Sequence, residues 1–415
     1  MKTNRLITSV TFSFLALTTF AASDAAAQAD AGGRVGGGAV QFEPAYRPKP
    51  KPRVKRAPPK VQKTAASYVV DGDRFYDAKD YDNALESYER AANLKPNAHV
   101  LFRIGWIHND YEEYDEALPF LDRALVLDPK MAAGHAEKGY SLRHLKRYDE
   151  AETALTRAIQ LDPVPSLPYL LLGDVYFYGK KDYARAVAPY KQGLQKDSSS
   201  YMAAYNLGWS YNDLANYNEA VRWLTESVRL KPDYALAYGE LGYAYYKLNN
   251  GTSAASNYKR AIQLDPQNAT ANFGLGDVYF SIDKNYAEAA ARYKAGLAIK
   301  GDNVNALYRL GYCYNDMGQF REAADALAKV TAIKPDYAAA HVELGFAYYR
   351  LNRYNEAVTV LKQAIAIDQN NAVGHYYLGL VYVAMGNKNL ATAEYRVLQN
   401  LKSEYAQKLS SAINK

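Results

Sequence analysis

From residue 65 to the end of the chain, apolar positions recur at spacings of three and four, the signature of one face of a helix with 3.6 residues per turn. Each apolar stretch is short and is broken by a polar turn, so the pattern predicts paired helices. The segment Tyr205 to Leu248 shows the plan. A helical stretch around Gly208 breaks at Ala215–Asn216, and a second around Ala220 ends at Lys231–Pro232. The pattern then restarts, with Gly242 lying 34 residues beyond Gly208. A single helical hairpin cannot bury its own apolar face, so a period of this length predicts hairpins stacked on one another.

The phrase is kept in register along the chain. A glycine falls in the first helix at 72, 105, 139, 173, 208, 242, 276, 311, 345 and 379. An alanine follows in the second helix at 84, 117, 151, 186, 220, 254, 289, 323, 357 and 391. Four residues later stands a large side chain: Tyr88, Leu121, Leu155, Tyr190, Leu224, Tyr258, Tyr293, Leu327, Leu361 and Tyr395. Pro96, Pro129, Pro163, Pro232, Pro266 and Pro335 close units, because the residue before proline is pushed out of helical geometry. Proline is replaced at Ser198, Gly301 and Gln369, where looser junctions are expected.

These residues resemble the tetratricopeptide repeat (TPR) family, whose phrase is met best in Tyr205–Pro232 and Tyr308–Pro335. Ten units are expected, near 65–97, 98–131, 132–165, 166–200, 201–234, 235–268, 269–303, 304–337, 338–371 and 372–402, within a solenoid over 65–405. The resemblance implies an all-α, right-handed superhelical stack whose first helices line a concave groove for peptides or partner proteins. Tyr405, Leu409 and Ile413, at spacings of four, predict a capping helix within 403–415.

A longer period overlies the short one. Gly105, Gly208 and Gly311 are 103 residues apart, as are Gly139, Gly242 and Gly345. The chain therefore reads as a triplet of repeats used three times, plus one further unit and the cap. Segments 173–194 and 276–297 each carry an extra residue in the hairpin turn. The triplet predicts three similar surfaces. The slot after each glycine holds Asp73, Trp106, Tyr140, Asp174, Trp209, Tyr243, Asp277, Tyr312, Phe346 and Leu380. Three residues before the glycine, the middle members carry Phe102, Tyr205 and Tyr308. Four and five after it they carry Asn109-Asp110, Asn212-Asp213 and Asn315-Asp316. As a binding surface, these supply aromatic faces for stacking and Asn/Asp for hydrogen bonds. As structure, the rings pack between helices and the Asn-Asp pairs are a relic of duplication. The family's carboxylate clamp of Lys and Asn is not carried over, because Phe102, Tyr205, Tyr308, Trp106, Trp209 and Tyr312 stand in its slots.

Charge changes the picture at one end only. Residues 1–64 hold 11 of the 50 Lys/Arg and 3 of the 44 Asp/Glu, leaving 39 against 41 for the rest. The repeat region is thus near neutral, which argues against nucleic acid as a partner. Lys2 and Arg5 precede an apolar run, Leu6 to Ala22, and Ala27-Gln28-Ala29 offers a cleavage site, so 1–29 read as a signal peptide. An exported protein, periplasmic or extracellular, is expected, with no membrane span after cleavage. Residues 30–64 form a Gly-rich then Pro-Lys/Arg-rich linker, expected to be disordered. It serves as a spacer or as a contact to an anionic envelope surface.

Catalytic and metal motifs are absent from the sequence, and no cofactor is expected. His135, His341 and His375 fill an aromatic slot four before the glycine, and His108 fills another. Cys313, the one cysteine, falls in a small-residue slot. The leading expectation is a non-catalytic scaffold binding protein or peptide. A binding module for an elongated glycan or cell-wall polymer, and a structural spacer in an envelope complex, are the alternatives.

Overall fold

A computed structural model describes residues 63–414; the expected signal peptide and nearly all of the linker lie outside the described residues. The described part comprises two compact units, 63–197 and 198–414. The first contains α1 (Ala65–Asp77), α2 (Tyr81–Leu94), α3 (Ala98–Asp110), α4 (Tyr114–Leu127), α5 (Ala132–His144), α6 (Tyr148–Leu161), α7 (Leu167–Asp174) and α8 (Tyr183–Lys196). The second contains α9 (Tyr201–Asp213), α10 (Tyr217–Leu230), α11 (Ala235–Lys247), α12 (Gly251–Leu264), α13 (Ala269–Ser281), α14 (Tyr286–Ile299) and α15 (Val304–Asp316). It continues with α16 (Phe320–Ile333), α17 (Ala338–Arg350), α18 (Tyr354–Ile367), α19 (Ala372–Ala384), α20 (Lys388–Asn400) and α21 (Tyr405–Ile413). No strand occurs among the described residues.

Local chemistry starts and stops these helices. Side-chain oxygens of Asn97, Asn268, Asn303 and Asn371 each accept from the backbone N–H three residues on, at 2.8 to 2.9 Å, satisfying donors that a helix start leaves open. Most first helices end in a left-handed residue; Glu112, Ala215, Asn249 and Gly318 all have φ between 56° and 74°. At these ends the following N–H reaches back to a helical carbonyl, as in Gln319 N to Tyr314 O at 2.8 Å.

Within a hairpin, the glycine slot fixes helix separation. A Cβ on Gly311 would lie 2.5 Å from Leu327 Cγ, so any side chain there forces α15 and α16 apart. Leu327 and its counterparts Leu121, Leu155, Tyr190 and Leu224 are fully buried. The last hairpin differs. Gly379 faces Leu409 of α21 rather than Tyr395, and Tyr395 is half-buried with its hydroxyl accepting from Gln399 at 2.6 Å. Here α21 packs on both α19 and α20 and fills the place that a second-helix residue takes in the other hairpins.

The extra residue of the fourth and seventh hairpins is absorbed in two ways. After α7 the helix widens into a π-helical turn, Val175–Lys180, closed by Asp182 N on Tyr176 O at 2.9 Å. After α13 the chain leaves the helix at Ile282, and Asn285 N closes on Tyr279 O at 2.9 Å. The looser junction expected at Gln369 is not seen. Asp368 accepts from Asn370 N at 3.1 Å, the same turn that Asp265 makes before Pro266 with Gln267 N at 3.1 Å. The aspartate, rather than the proline, sets the turn.

Candidate functional site

In each unit, first helices pack on the next first helix, as α3 on α5 and α15 on α17, while second helices make no comparable contact with one another. Contact on one side and separation on the other curves each stack towards its first helices. That inner face displays the slots around the glycine. The structure sorts the expected binding residues into those the stack uses itself and those left reachable.

The asparagines belong to the stack. Asn109 Nδ2 donates to Glu137 O at 3.1 Å and Glu137 Oε2 at 2.9 Å. Asn212 makes the same pair with Glu240 at 3.2 and 2.7 Å, and Asn315 with Glu343 at 3.0 and 2.8 Å. All three are buried, with exposures of 2%, 2% and 6%. They tie each middle repeat to the next rather than facing a ligand, which corrects the expectation of open hydrogen-bonding groups. The following aspartates stand at helix ends, where Asp110 and Asp213 are half-buried and Asp316 is exposed.

Asp73, Asp174 and Asp277 are also taken. Tyr88, Tyr190 and Tyr293 of the same hairpins donate to them at 2.7, 2.7 and 2.6 Å. Wherever the slot after the glycine is Asp, the large residue of the second helix is Tyr, because a phenol reaches the carboxylate where Leu could not. Arg309 closes on Asp277 as well, and Arg143 lies 3.7 Å from Asp174. Burial raises the pKa of both Asp174 and Asp277, and the arginine and tyrosine partners oppose it. Asp73 is more open and also meets His99 Nε2 at 3.3 Å.

The aromatic candidates mostly pack edge-on. Trp106 lies 5.1 Å from Tyr76 and 5.5 Å from Tyr81, and Tyr312 lies 5.3 Å from Phe280 and 5.8 Å from Tyr286. Such tilted pairs suit the charge distribution of the rings. Tyr205 meets Tyr234 at 5.1 Å and Tyr308 meets Tyr337 at 5.0 Å. Tyr205 and Trp209 are buried, whereas Phe102, Trp106, Tyr308 and Tyr312 remain half-buried and reachable.

The slot two before the glycine escaped the sequence reading. It holds Arg103, Glu137, Asn206, Glu240, Arg309 and Glu343, on the inner face. The visible signal was charge at a fixed offset inside a helix otherwise apolar on that side. Glu240 is buried; Glu137 and Glu343 are half-buried. Arg103 stacks 4.0 Å from the centre of the Tyr76 ring. Burial pushes the Glu343 carboxyl up, and its bond from Asn315 opposes this.

Other chemistry resolves into packing. His135, His341 and His375 each use Nε2 to donate to a carbonyl six residues earlier, at 3.1, 2.9 and 3.1 Å, pinning the turn before the helix. His108 stacks on Phe120 at 5.5 Å and pairs with Glu113 at 2.7 Å. Cys313 is fully buried, and burial pushes its thiol up to about 12, far from a reactive thiolate. Among the described residues, no cluster of His, Cys, Asp and Glu could hold a metal ion. None of the described helices is long and apolar enough to cross a membrane.

Comparison with known proteins bears on the whole repeat region. A model described as tetratricopeptide repeat matches residues 71–132, 112–168, 170–235 and 240–304, more than half the chain. A second of the same description matches 281–341, and one described as TPR repeat matches 347–386. The BBSome complex member BBS4 of Bos taurus is 24% identical over 183 residues, 41% of this chain and 33% of that protein. The chain thus spans about a third of the length of that curated relative. Among solved structures, YrrB, described as a TPR protein with an unusual peptide-binding site, is 25% identical over 46% of this chain and 96% of that one, with a TM-score of 0.40. The C-terminal part of a TPR repeat-containing protein from Cytophaga hutchinsonii is 16% identical over 59% and 99% of the two chains, with a TM-score of 0.49. Proteins built on these repeats are generally non-catalytic scaffolds that bind protein or peptide partners. With the glycine, alanine and aromatic slots filled as described and the family models matching along the stack, the chain belongs to the tetratricopeptide repeat family.

Proposed function

We propose that this protein is an exported scaffold that binds an extended segment of a partner protein on its first-helix face. One observation carries the reading. After the stack has used its buried asparagines and aspartates, the inner face of the second unit still presents Tyr308, Tyr312, Glu343, Phe346 and Tyr377, all half-buried. Tyrosine is among the residue types that dominate binding energy at protein interfaces. A glycan platform has less support, because Trp106 and Tyr312 lie edge-on against two neighbouring rings each, which leaves less open face for a sugar.

Export rests on the charged, apolar and small-residue order of residues 1–29. The basic run between Pro44 and Lys60 then lies between the cleavage site and the repeats, suited to a spacer or to contact with an anionic envelope surface. Fractionation with N-terminal sequencing should find the chain outside the cytoplasm, starting at Asp30. Crosslinking with mass spectrometry in that compartment should recover a partner linked to lysines flanking the inner face. Recovery of no specific partner, or crosslinks confined to second helices, would overturn the groove reading.

A further inference from the structure

Among the described residues, a carboxylate and a tyrosine hold an arginine together, as two examples show. Arg185 donates to Glu152 Oε1 at 2.5 Å and to Tyr176 Oη at 2.7 Å, and its guanidinium lies 4.3 Å from the centre of that ring. Arg309 is held by Asp277 and Tyr293 in the same manner. In the second unit Glu343 also stands beside tyrosines, and among the described residues no Lys, Arg or His pairs with its carboxylate.

Glu343 stands on α17 and is fixed by Asn315, whose Nδ2 donates to its Oε2 at 2.8 Å and to its backbone carbonyl at 3.0 Å. Tyr308 and Tyr312 stand on α15 and Tyr377 on α19, both helices pack on α17, and the Glu343 charge reaches all three phenols. Phe346, one turn along α17, lies 5.0 Å from the Tyr377 ring. Burial, followed by the Glu343 charge, pushes up the phenols of Tyr308 and Tyr377, so the carboxylate and these rings share one environment. Among the described residues, no Lys, Arg or His pairs with Glu343. Arg309 is engaged by Asp277, and Arg350 stacks over Phe320 at 4.2 Å and Phe346 at 5.6 Å.

A half-desolvated carboxylate among aromatic faces attracts one kind of ligand. It repels anions, wastes its charge on an apolar group, and gains both a charge-assisted hydrogen bond and ring contact from an ammonium or guanidinium. We infer that Glu343, Tyr308, Tyr312, Phe346 and Tyr377 form a cation subsite that receives a lysine or arginine side chain from an extended peptide partner. The inference rests on the reading of the first-helix face as a protein-binding surface and gives that surface a preferred chemistry. The polarity is opposite to that of a clamp for carboxylates.

The test uses the full chain and four acetylated, amidated pentapeptides in which a central residue is flanked on each side by two prolines. The central residue is lysine, arginine, glutamine or glutamate, and binding is followed by calorimetry and ligand-observed NMR. The lysine and arginine peptides are expected to bind about tenfold more tightly than the glutamine peptide. Glu343→Gln keeps an acceptor for Asn315 and should fold normally while the preference falls to about twofold or less. Tyr377→Leu should weaken the lysine peptide several-fold. A cationic preference that survives Glu343→Gln overturns the assignment, as does equal binding of lysine and glutamine peptides. In the latter case the face still binds peptide and the broader reading stands. Failure of every pentapeptide to bind also removes the subsite, while partner recovery by crosslinking remains the separate measure of the scaffold reading.

Discussion

The joint between α3 and α5 in the first unit and the joint between α15 and α17 in the second use the same slots and finish them differently. Both are tied by an asparagine that bonds the backbone and side chain of a glutamate 28 residues on. In the first joint the Ser141 hydroxyl also donates to Asn109 Oδ1 at 2.6 Å. In the second, Ala347 stands in that slot, and Asn315 Oδ1 is buried without a partner among the described residues. Phe102 and Trp106 of the first joint become Tyr308 and Tyr312 in the second. The bond that sets helix against helix has been kept, and the groups around it have been free to change. The first joint is finished for holding; the second leaves a buried acceptor unsatisfied and surrounds its carboxylate with phenols.

The largest test of this contrast is removal of each asparagine. Asn109→Ala takes away three hydrogen bonds and should cost about 3 kcal/mol; Asn315→Ala takes away two and should cost about 2 kcal/mol. Urea denaturation of both variants measures this, and equal losses would show that Ser141 adds nothing. Exchanging the third residue sharpens the point. Ala347→Ser should raise stability by about 1 kcal/mol by supplying the missing donor, and Ser141→Ala should lower it by about 1 to 2 kcal/mol. A destabilised Ala347→Ser would mean that the second joint has no room for the hydroxyl.

The turns that follow give a smaller effect. Glu112 and Gly318 occupy equivalent left-handed positions, with φ of 62° and 74°. Gly318→Ala should cost about 1 kcal/mol, since a Cβ is disfavoured there, and Glu112→Gly should move the midpoint the other way. The smallest effect is one of pH. The folded Glu343 carboxyl titrates above the usual value of 4.5 because burial penalises its charge. Between that value and the folded one, the native state binds more proton than the unfolded state, so stability falls as pH rises. Glu343→Gln should therefore match wild type at pH 4 and pull ahead as pH passes upward through the carboxylate range. A wild type that gains on the variant over that range would show that the carboxylate is stabilised by a partner rather than strained.

Much of the fold was legible because the repeat is local. The Gly311, Ala323 and Leu327 slots encode a hairpin whose parts lie within one stretch of chain, and their spacing survives in every unit but the fourth and seventh, where the turn is one residue longer. The binding face was less legible. Asn212 and Asp277 looked like ligand groups because they are polar and recur, yet recurrence here marked a bond between repeats for the asparagine and a bond within the hairpin for the aspartate. The 103-residue period was the visible sign of those bonds, since Asn109, Asn212 and Asn315 each need a glutamate at a fixed distance. The charged slot two before the glycine went unread because a lone Glu in a helix looks solvated until its neighbours are known.

Sequence by itself determined the all-α class, the repeat length, the triplet and the lack of catalytic motifs, because each depends on residues close in the chain and on helical periodicity. Tertiary structure decided which recurrent polar groups are internal. Tyr88 reaches Asp73 across a hairpin, Asn315 reaches Glu343 across a repeat, and Leu409 replaces Tyr395 against Gly379. Those pairings depend on the distance between neighbouring helices, which spacing along the chain does not fix. The same distance leaves Glu343 beside tyrosines, with no Lys, Arg or His among the described residues paired to it.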